Sequence, residues 1–271
     1  TATTSGNITA TTNTTLTSLS NLATVGTITS GVWSGTSIGV AKGGTGLTAS
    51  GTANQVLTST GSGTLTWTTP VFLPTIVIGT QQWMRENLDV LTYRNGDIIP
   101  QVTDATAWAN LTTGAWCYYN NDPLNGAIYG KLYNWYAVAG IHDNDPATPN
   151  KTLAPSGWKM PSNNDWTELT DFLGAREVAG SKMKATGTAL WVAPNIATNE
   201  SGFTGLPGGE RVYDFEGIGR RSGWWSSNEI SLDQARGRSI LNYAPNSFIY
   251  HAYKNMGLSV RCVFVGIPLN N

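Results

Sequence analysis

The protein has 271 residues, enough for one large domain or two ordinary ones, and its net charge at pH 7 is −1. This near-neutral charge gives no electrostatic basis for binding nucleic acid or an acidic membrane surface. No apolar run reaches the length of about 18 residues that a membrane-spanning helix requires.

The composition changes sharply near Pro70. Thr, Ser and Gly occupy 42 of the first 70 positions, where Lys42 is the one charged residue. The remaining 32 charged residues all lie in residues 71–271. The sequence therefore predicts two differently built segments, a stalk (residues 1–70) and a head (residues 71–271).

Apolar residues in the stalk recur at intervals of three, a spacing that fits neither an α-helix nor a flat strand. They are Leu16, Leu19, Leu22, Val25 and Ile28. One such chain has too few large side chains to offset its ordering entropy, whereas three intertwined copies bury surface between chains. We therefore predict a β-rich homotrimeric stalk; the alternative is chance spacing in a Thr-rich linker.

Residues 26–67 resemble the repeats in the shafts of phage tail fibres and related surface fibres. The similarity lies in GGTG (43–46) and GTANQVLTSTGSGTLTW (51–67). Glycines in such repeats supply tight turns, and Asn, Thr and Ser side chains satisfy backbone groups locally. The resemblance implies a fibre that joins a larger particle through its N-terminal end.

Four elements are predicted in the head, in chain order. A strand is predicted over residues 75–79, a short helix over 130–140, a helix over 162–173 and a strand over 258–265. The third is the clearest, because Ser162 and Asp165 have capping-box spacing and Gly174 follows as a stop. Its predicted apolar stripe is Trp166, Leu169, Phe172 and Leu173.

Seven motifs in the head, in this order, resemble those of the Fibrobacter major paralogous domain (FISUMP) family. They are IGTQQWMRENLDVLTYRNGD (78–97), WCYYNND (116–122), YGKLYNWYAV (129–138), LAPSGWKMPSNNDWTELTDFLG (153–174), NESGFTGLPGGER (199–211), GWWSSNE (223–229) and GLSVRCV (257–263). The resemblance implies an α+β, C-type-lectin-like fold for about residues 74–265, and a surface or secreted module. We expect most motif tryptophans in the core: Trp83, Trp135, Trp158, Trp166, Trp224 and Trp225.

Cys117 lies on a further predicted strand, WCYYN (116–120), and Cys262 lies on the last one; the lectin-like fold can bring these two strands together. In an extracellular protein this favours a disulfide, and two buried thiols are the alternative. Formylglycine-generating enzymes share the fold but use a closely placed reactive cysteine pair, which these separated residues do not provide. The carboxylate pairs Asp143/Asp145 and Glu210/Asp214 are typical of solvated loops, so we do not expect an enzyme.

No cofactor is expected. A structural calcium ion would need six to eight oxygen ligands, and the runs NND (120–122) and HDNDP (142–146) offer some. The paired loop motif of sugar-binding lectins is not recognisable, so these runs are interpreted as surface turns.

Residues 236–255 are the predicted binding face, because Tyr, Asn, Ser, Arg and His combine rigid aromatic groups with adaptable polar ones. The predicted ligand-binding residues are Arg236, Arg238, Asn242, Tyr243, Asn246, His251, Tyr253 and Asn255. Strand alternation puts Phe248 and Tyr250 on one face and Tyr243, His251, Tyr253 and Asn255 on the other. The second set is predicted to be outward because it holds more polar tips. The alternative is a pair of strands with half-buried tyrosines.

Together these features predict the receptor-binding tip of a homotrimeric extracellular fibre, on a virion, a phage-tail-like particle or a cell. Its partner would be a cell-surface glycan or protein, bound through three heads acting together. The alternatives are a purely structural fibre subunit and an enzyme on the lectin-like fold.

Overall fold

The computed structural model describes residues 44–53, 55–59, 64–68 and 74–265. The predicted winding of residues 16–28 lies outside the described residues, as does the shaft-like repeat before residue 44. The chain divides into two units, Thr1–Val71 and Phe72–Asn271.

The described part of the first unit contains an antiparallel hairpin of β1 (Val56–Ser59) and β2 (Leu65–Thr68). The indole nitrogen of Trp67 donates a hydrogen bond to the carbonyl oxygen of Ala49, at 3.1 Å. Val56 and Leu57 are 49% and 37% exposed. The hairpin therefore leaves apolar side chains of one strand uncovered within its own unit.

The second unit combines strands with short helices, which confirms the predicted α+β class. Its described strands are β3 (Thr75–Ile78), β4 (Gln81–Met84), β5 (Trp116–Cys117), β6 (Leu132–Tyr133), β7 (Trp158–Lys159), β8 (Gly208–Arg211), β9 (Phe215–Ile218), β10 (Arg221–Glu229), β11 (Gln234–Leu241), β12 (Ser247–Tyr253) and β13 (Val263–Phe264). Its described helices are α1 (Ala105–Ala109), α2 (Pro123–Tyr129), α3 (Trp135–Ala139), α4 (Asn163–Phe172) and α5 (Arg176–Met183). No helix among the described residues could serve as a bilayer span.

The largest sheet has five strands in the order β12-β11-β10-β8-β9, so β12 is an edge strand. A four-stranded sheet in the order β3-β4-β13-β7 joins the beginning and the end of the second unit. The predicted strand at 75–79 is confirmed as β3. Strands β5 and β6 form a separate pair.

Apolar clusters pack on both faces of the five-stranded sheet, since neighbouring residues of a strand point to opposite sides. Trp224 of β10 belongs to a cluster with residues of α4 and α5, including Trp166 and Met183. Trp225 belongs to the other large cluster, together with Trp135 of α3. Of the six tryptophans predicted in the core, five are buried and Trp158 is half-buried.

Helix α4 begins as the sequence predicts. The Ser162 hydroxyl accepts from the backbone N–H of Asp165 at 3.2 Å, and the Asp165 carboxylate accepts from the N–H of Ser162 at 2.7 Å. The predicted apolar stripe is wrong at Phe172, which is 65% exposed. An α-helix turns about 100° per residue, which rotates Phe172 away from the buried side defined by Leu169 and Leu173.

Two predicted elements need correction. The helix predicted over 130–140 is a strand at its start, β6, and becomes helical only after Asn134, whose side chain caps α3 by accepting from Ala137 N–H at 3.0 Å. The strand predicted over 258–265 has regular pairing only in β13. Before β13 the chain runs through the interior, where Ser259 and Arg261 are as buried as their apolar neighbours.

Several cations are buried in the second unit, contrary to the usual exposure of Lys and Arg. Arg211 donates to the carbonyl oxygens of Val102 and Thr103, at 2.8 and 2.9 Å, and its guanidinium lies 4.5 Å from the centre of the Trp108 ring. Arg261 donates to the carbonyl oxygen of Phe203 and to the side-chain oxygen of Asn87. Burial lowers the pKa of Arg261 to about 9.

Candidate functional site

The structure separates the eight predicted binding residues into three groups. Arg236, His251, Tyr253 and Asn255 lie at or beyond the end of the β11–β12 hairpin that is remote from its turn. Asn242, Tyr243 and Asn246 lie in the turn itself. Arg238 lies between the two ends. Strands rise about 3.3 Å per residue, so Tyr243 and Tyr253 are roughly 20 Å or more apart and cannot contact one small ligand.

Arg238 is only 1% exposed, which corrects its predicted place on the binding face. One of its terminal nitrogens donates to the carbonyl and side-chain oxygens of Asn163 and, at 2.9 Å, to the Thr167 hydroxyl. The alternation of β11 points Arg238 at helix α4 rather than at solvent. Burial lowers the pKa of Arg238 to about 10, and its role is to join the sheet to the helix.

At the far end of the hairpin, Arg236 pairs across the strands with His251, and Gln234 with Tyr253. His251 and Tyr253 are exposed, in the outward orientation that strand alternation predicts. Tyr250 faces inward as predicted, but the prediction is wrong for Phe248, which is 37% exposed. Asn255 is half-buried, and its side-chain amide donates to the carbonyl oxygen of Ala109 at 2.8 Å.

At the turn end, a cleft of about 440 Å³ opens beside Tyr243, and we call it the turn cleft. Tyr243 is 62% exposed, so its ring stands at the mouth. The residues that line the turn cleft are Val192, Ala193, Pro194, Gly217, Arg220, Arg221, Leu241, Asn242 and Tyr243. Two of the predicted binding residues therefore lie at a concave site with two arginines that were not predicted.

Asn242 forms part of the wall of the turn cleft and its side chain is used by the fold, which corrects its predicted ligand-binding role. Its side chain is 7% exposed and donates to the carbonyl oxygen of Val192 at 3.0 Å. Its backbone N–H donates to the carbonyl oxygen of Arg220 at 2.9 Å. Asn242 thus ties together the three segments that form the walls.

The turn that carries Tyr243 packs against helix α5 and is hydrogen-bonded by Lys184, the residue that follows α5. The Lys184 ammonium donates to the carbonyl oxygens of Leu241, Asn242 and Ala244, at 2.7, 3.0 and 2.9 Å. Burial lowers the pKa of Lys184 to about 8. A Cβ at Gly180 would lie 2.0 Å from the carbonyl oxygen of Asn246, so the contact with α5 requires glycine. Lys184 and α5 therefore fix the position of the turn. Asn246 is half-buried and forms part of this contact.

The side chain of Arg221 is fixed by its interactions with Glu210 and Tyr250. Its Nη1 donates to the carboxylate of Glu210 at 2.5 Å, and its guanidinium lies 4.8 Å from the centre of the Tyr250 ring. Glu210 is 1% exposed and also accepts from the Tyr250 hydroxyl at 3.4 Å. Burial is the main cause that raises the pKa of Glu210, against the opposing effect of Arg221.

A larger cleft, of about 560 Å³, surrounds Asn87, but it contains none of the predicted binding residues. The Asn87 side chain accepts from Trp224 Nε1 at 2.9 Å and from Arg261, and donates to the carbonyl oxygen of Tyr129 at 2.8 Å. Its hydrogen-bonding groups are thus used by the fold, and we regard Asn87 as a structural residue.

The predicted disulfide is absent, because Cys117 and Cys262 are free and pack in different apolar clusters. Burial raises the pKa of Cys117 to about 11 and that of Cys262 to about 12. The arrangement matches the alternative interpretation of two thiols that pack as small apolar groups.

The acidic runs considered for calcium are used in local structure. Asp122 caps α2 by accepting from Leu124 N–H at 2.9 Å, and Asp145 accepts from Ala147 N–H at 2.9 Å. Asp143 likewise accepts from the N–H of Asp145. Within the described residues, no three His, Cys, Asp or Glu side chains are grouped as metal ligands.

Sequence reasoning missed Arg220, Arg221 and the segment Val192–Pro194. Two consecutive arginines at the start of β10 were a visible signal for the first two. Nothing in the sequence indicates that residues 192–194, about 28 positions earlier, form the opposite wall.

Searches of the curated proteins and of the solved structures found no match. The family model described as the Fibrobacter succinogenes major domain matches residues 76–263, more than half of the chain. The protein therefore belongs to the Fibrobacter succinogenes major domain family.

Proposed function

We propose that this protein is the receptor-binding tip of a homotrimeric fibre, whose head (the second unit) recognises a cell-surface glycan or protein. The observation that carries the proposal is the turn cleft, where an exposed tyrosine on a rigidly supported turn lies beside two arginines at the start of β10. Rigid aromatic groups beside arginine are the commonest anchors of binding sites. Under this proposal the protein acts outside the cell, on a virion, a phage-tail-like particle or a cell.

We propose a C-type-lectin-like fold for the head. Three features support it: the first and last strands of the unit share one sheet, two helices pack on one face of the longer sheet, and long irregular segments connect them. Fold alone does not identify a ligand, so the functional proposal is based on the turn cleft.

The homotrimeric stalk is also part of the proposal. Strands β1 and β2 form a two-stranded hairpin, and such a hairpin alone is marginally stable in water. Exposed Val56 and Leu57 provide apolar surface that further copies of the chain would cover.

Mass measurement of the full 271-residue chain under native conditions tests the stalk. We expect a mass of three copies, about three times 28.9 kDa, that stays constant on dilution. A monomer with an ordered first unit would contradict the trimeric stalk and would leave the head unaffected.

A pair of matched substitutions tests the binding site. Tyr243 and Tyr253 are comparably exposed, at 62% and 54%, on the same hairpin, but only Tyr243 borders the turn cleft. Loss of an aromatic anchor typically weakens binding by at least about 30-fold. We therefore expect Tyr243→Ala to lower binding to immobilised glycans and intact cells by that factor, and Tyr253→Ala to leave it unchanged.

Both variants should keep the trimeric mass and the melting temperature of the unsubstituted protein, because both side chains project into solvent. If Tyr253→Ala alone weakens binding, the site lies at the far end of the hairpin. If neither variant binds more weakly than the parent protein, the receptor-binding proposal fails. The alternative, a purely structural fibre subunit, is then favoured.

A further inference from the structure

The turn cleft is electrostatically positive. Arg220 and Arg221 both line it, and none of its other lining residues is acidic. Arg220 is exposed and makes no ion pair within the described part of the chain. The charge of Arg221 is balanced by Glu210 behind it, so Arg220 supplies the net charge of the site.

Arg221 nevertheless has unused donors. Only Nη1 is hydrogen-bonded, to Glu210, and Nε is buried with no partner among the described residues. The side chain is 29% exposed, while the Glu210 carboxylate that fixes it is 1% exposed. A guanidinium that is fixed in this way loses little conformational entropy when it binds a planar carboxylate through two N–H groups.

The rest of the turn cleft is apolar or aromatic. Val192, Pro194 and Leu241 contribute aliphatic surface, and the Tyr243 ring stands exposed at the edge. A volume of about 440 Å³ is in the range of sites that bind small molecules. An aliphatic and aromatic wall beside two guanidinium groups matches a ligand with an apolar ring face and an attached anionic group.

We propose that the turn cleft binds a carboxylated sugar, with its carboxylate between Arg220 and Arg221 and its ring against Tyr243. This inference rests on the proposed function and names the ligand class for the same site. The shared requirement is an anionic group on a sugar ring, and a guanidinium can bind a carboxylate through two parallel N–H groups.

The test uses the full chain and pairs of sugars that differ only in charge. Galacturonate, glucuronate and N-acetylneuraminate oligosaccharides are each titrated beside their methyl esters by calorimetry. We expect at least one acid to bind, its ester to bind at least 30-fold more weakly, and the affinity to fall as NaCl is raised, because the contact is charged.

Arg220→Gln removes the unpaired charge and should weaken binding of that acid at least 10-fold. Arg236→Gln is the matched control, since it removes an arginine at the far end of the same hairpin and should leave the affinity unchanged. Unchanged melting temperatures of both variants confirm that the fold is intact.

Different negative results contradict different parts of the proposal. An ester that binds as well as its acid, or an unaffected Arg220→Gln variant, overturns the proposal. Equal binding of galactose 6-sulfate would show a general anion site and would overturn the assignment to carboxylates. If neutral glycans bind through Tyr243 and no acidic sugar does, this inference fails while the proposed function stands.

Discussion

Gly140→Ala is expected to lower the free energy of unfolding of the second unit by about 3 kcal/mol or more. Gly140 ends helix α3 at φ +77°, a conformation that costs an L-residue roughly 1–2 kcal/mol. A Cβ there would also lie 1.7 Å from the backbone carbonyl oxygen of Lys151. Backbone atoms cannot rotate away, so the overpacking cost, typically about 1–3 kcal/mol, adds to the conformational one.

Gly174→Ala is the matched control. Gly174 also follows a helix at positive φ, +95°, but the nearest atom to its Cβ, a methyl carbon of Val178, is 3.5 Å away. Only the conformational cost applies, so we expect a loss of about 1–2 kcal/mol. Denaturant unfolding followed by tryptophan fluorescence measures both; equal losses would show that Lys151 moves aside without cost.

Removal of residues 1–70 is expected to weaken attachment to a ligand-coated surface by about 10²- to 10⁴-fold, because three linked heads would become independent monomers. The head should stay folded, since its apolar clusters lie entirely within residues 72–271. Its affinity for the same ligand in soluble, monovalent form should not change. The readouts are surface-bound and soluble titrations of the same preparation.

The control for this truncation restores the valence without the stalk. The head fused to an unrelated three-stranded coiled coil should recover most of the lost surface binding. A truncated head that binds the surface as tightly as the full chain would show that multivalency is not the function of the first 70 residues.

Local signals predicted local structure well. The capping box at Ser162 and Asp165 involves residues three positions apart, and α4 begins there. The residues of 130–140 also have helical spacing, yet Leu132 and Tyr133 pair with β5, because a partner strand some 15 residues earlier competes for them. Phe172 was wrongly predicted to be buried, because the spacing of apolar residues does not show which of them lies at the edge of the buried side of the helix.

The candidate site was predictable only in part, for a similar reason. Tyr243 lies in a turn, and its exposure follows from local chemistry. Arg238 was predicted to face a ligand because of the residue types in 236–255, but its acceptors lie on α4, about 75 positions earlier. The residues that complete the turn cleft come together only through tertiary structure.

The interior cations have a consequence for the behaviour of the protein in acid. Acid unfolding mostly follows the protonation of carboxylates that are ion-paired in the native state. Arg211 and Arg261 are instead held by carbonyl oxygens, an amide and aromatic rings, none of which takes up a proton between neutral and gastric acidity. The stability that the contacts of these two arginines contribute therefore does not change with protonation in this pH range, unlike that of a carboxylate ion pair such as Arg221–Glu210.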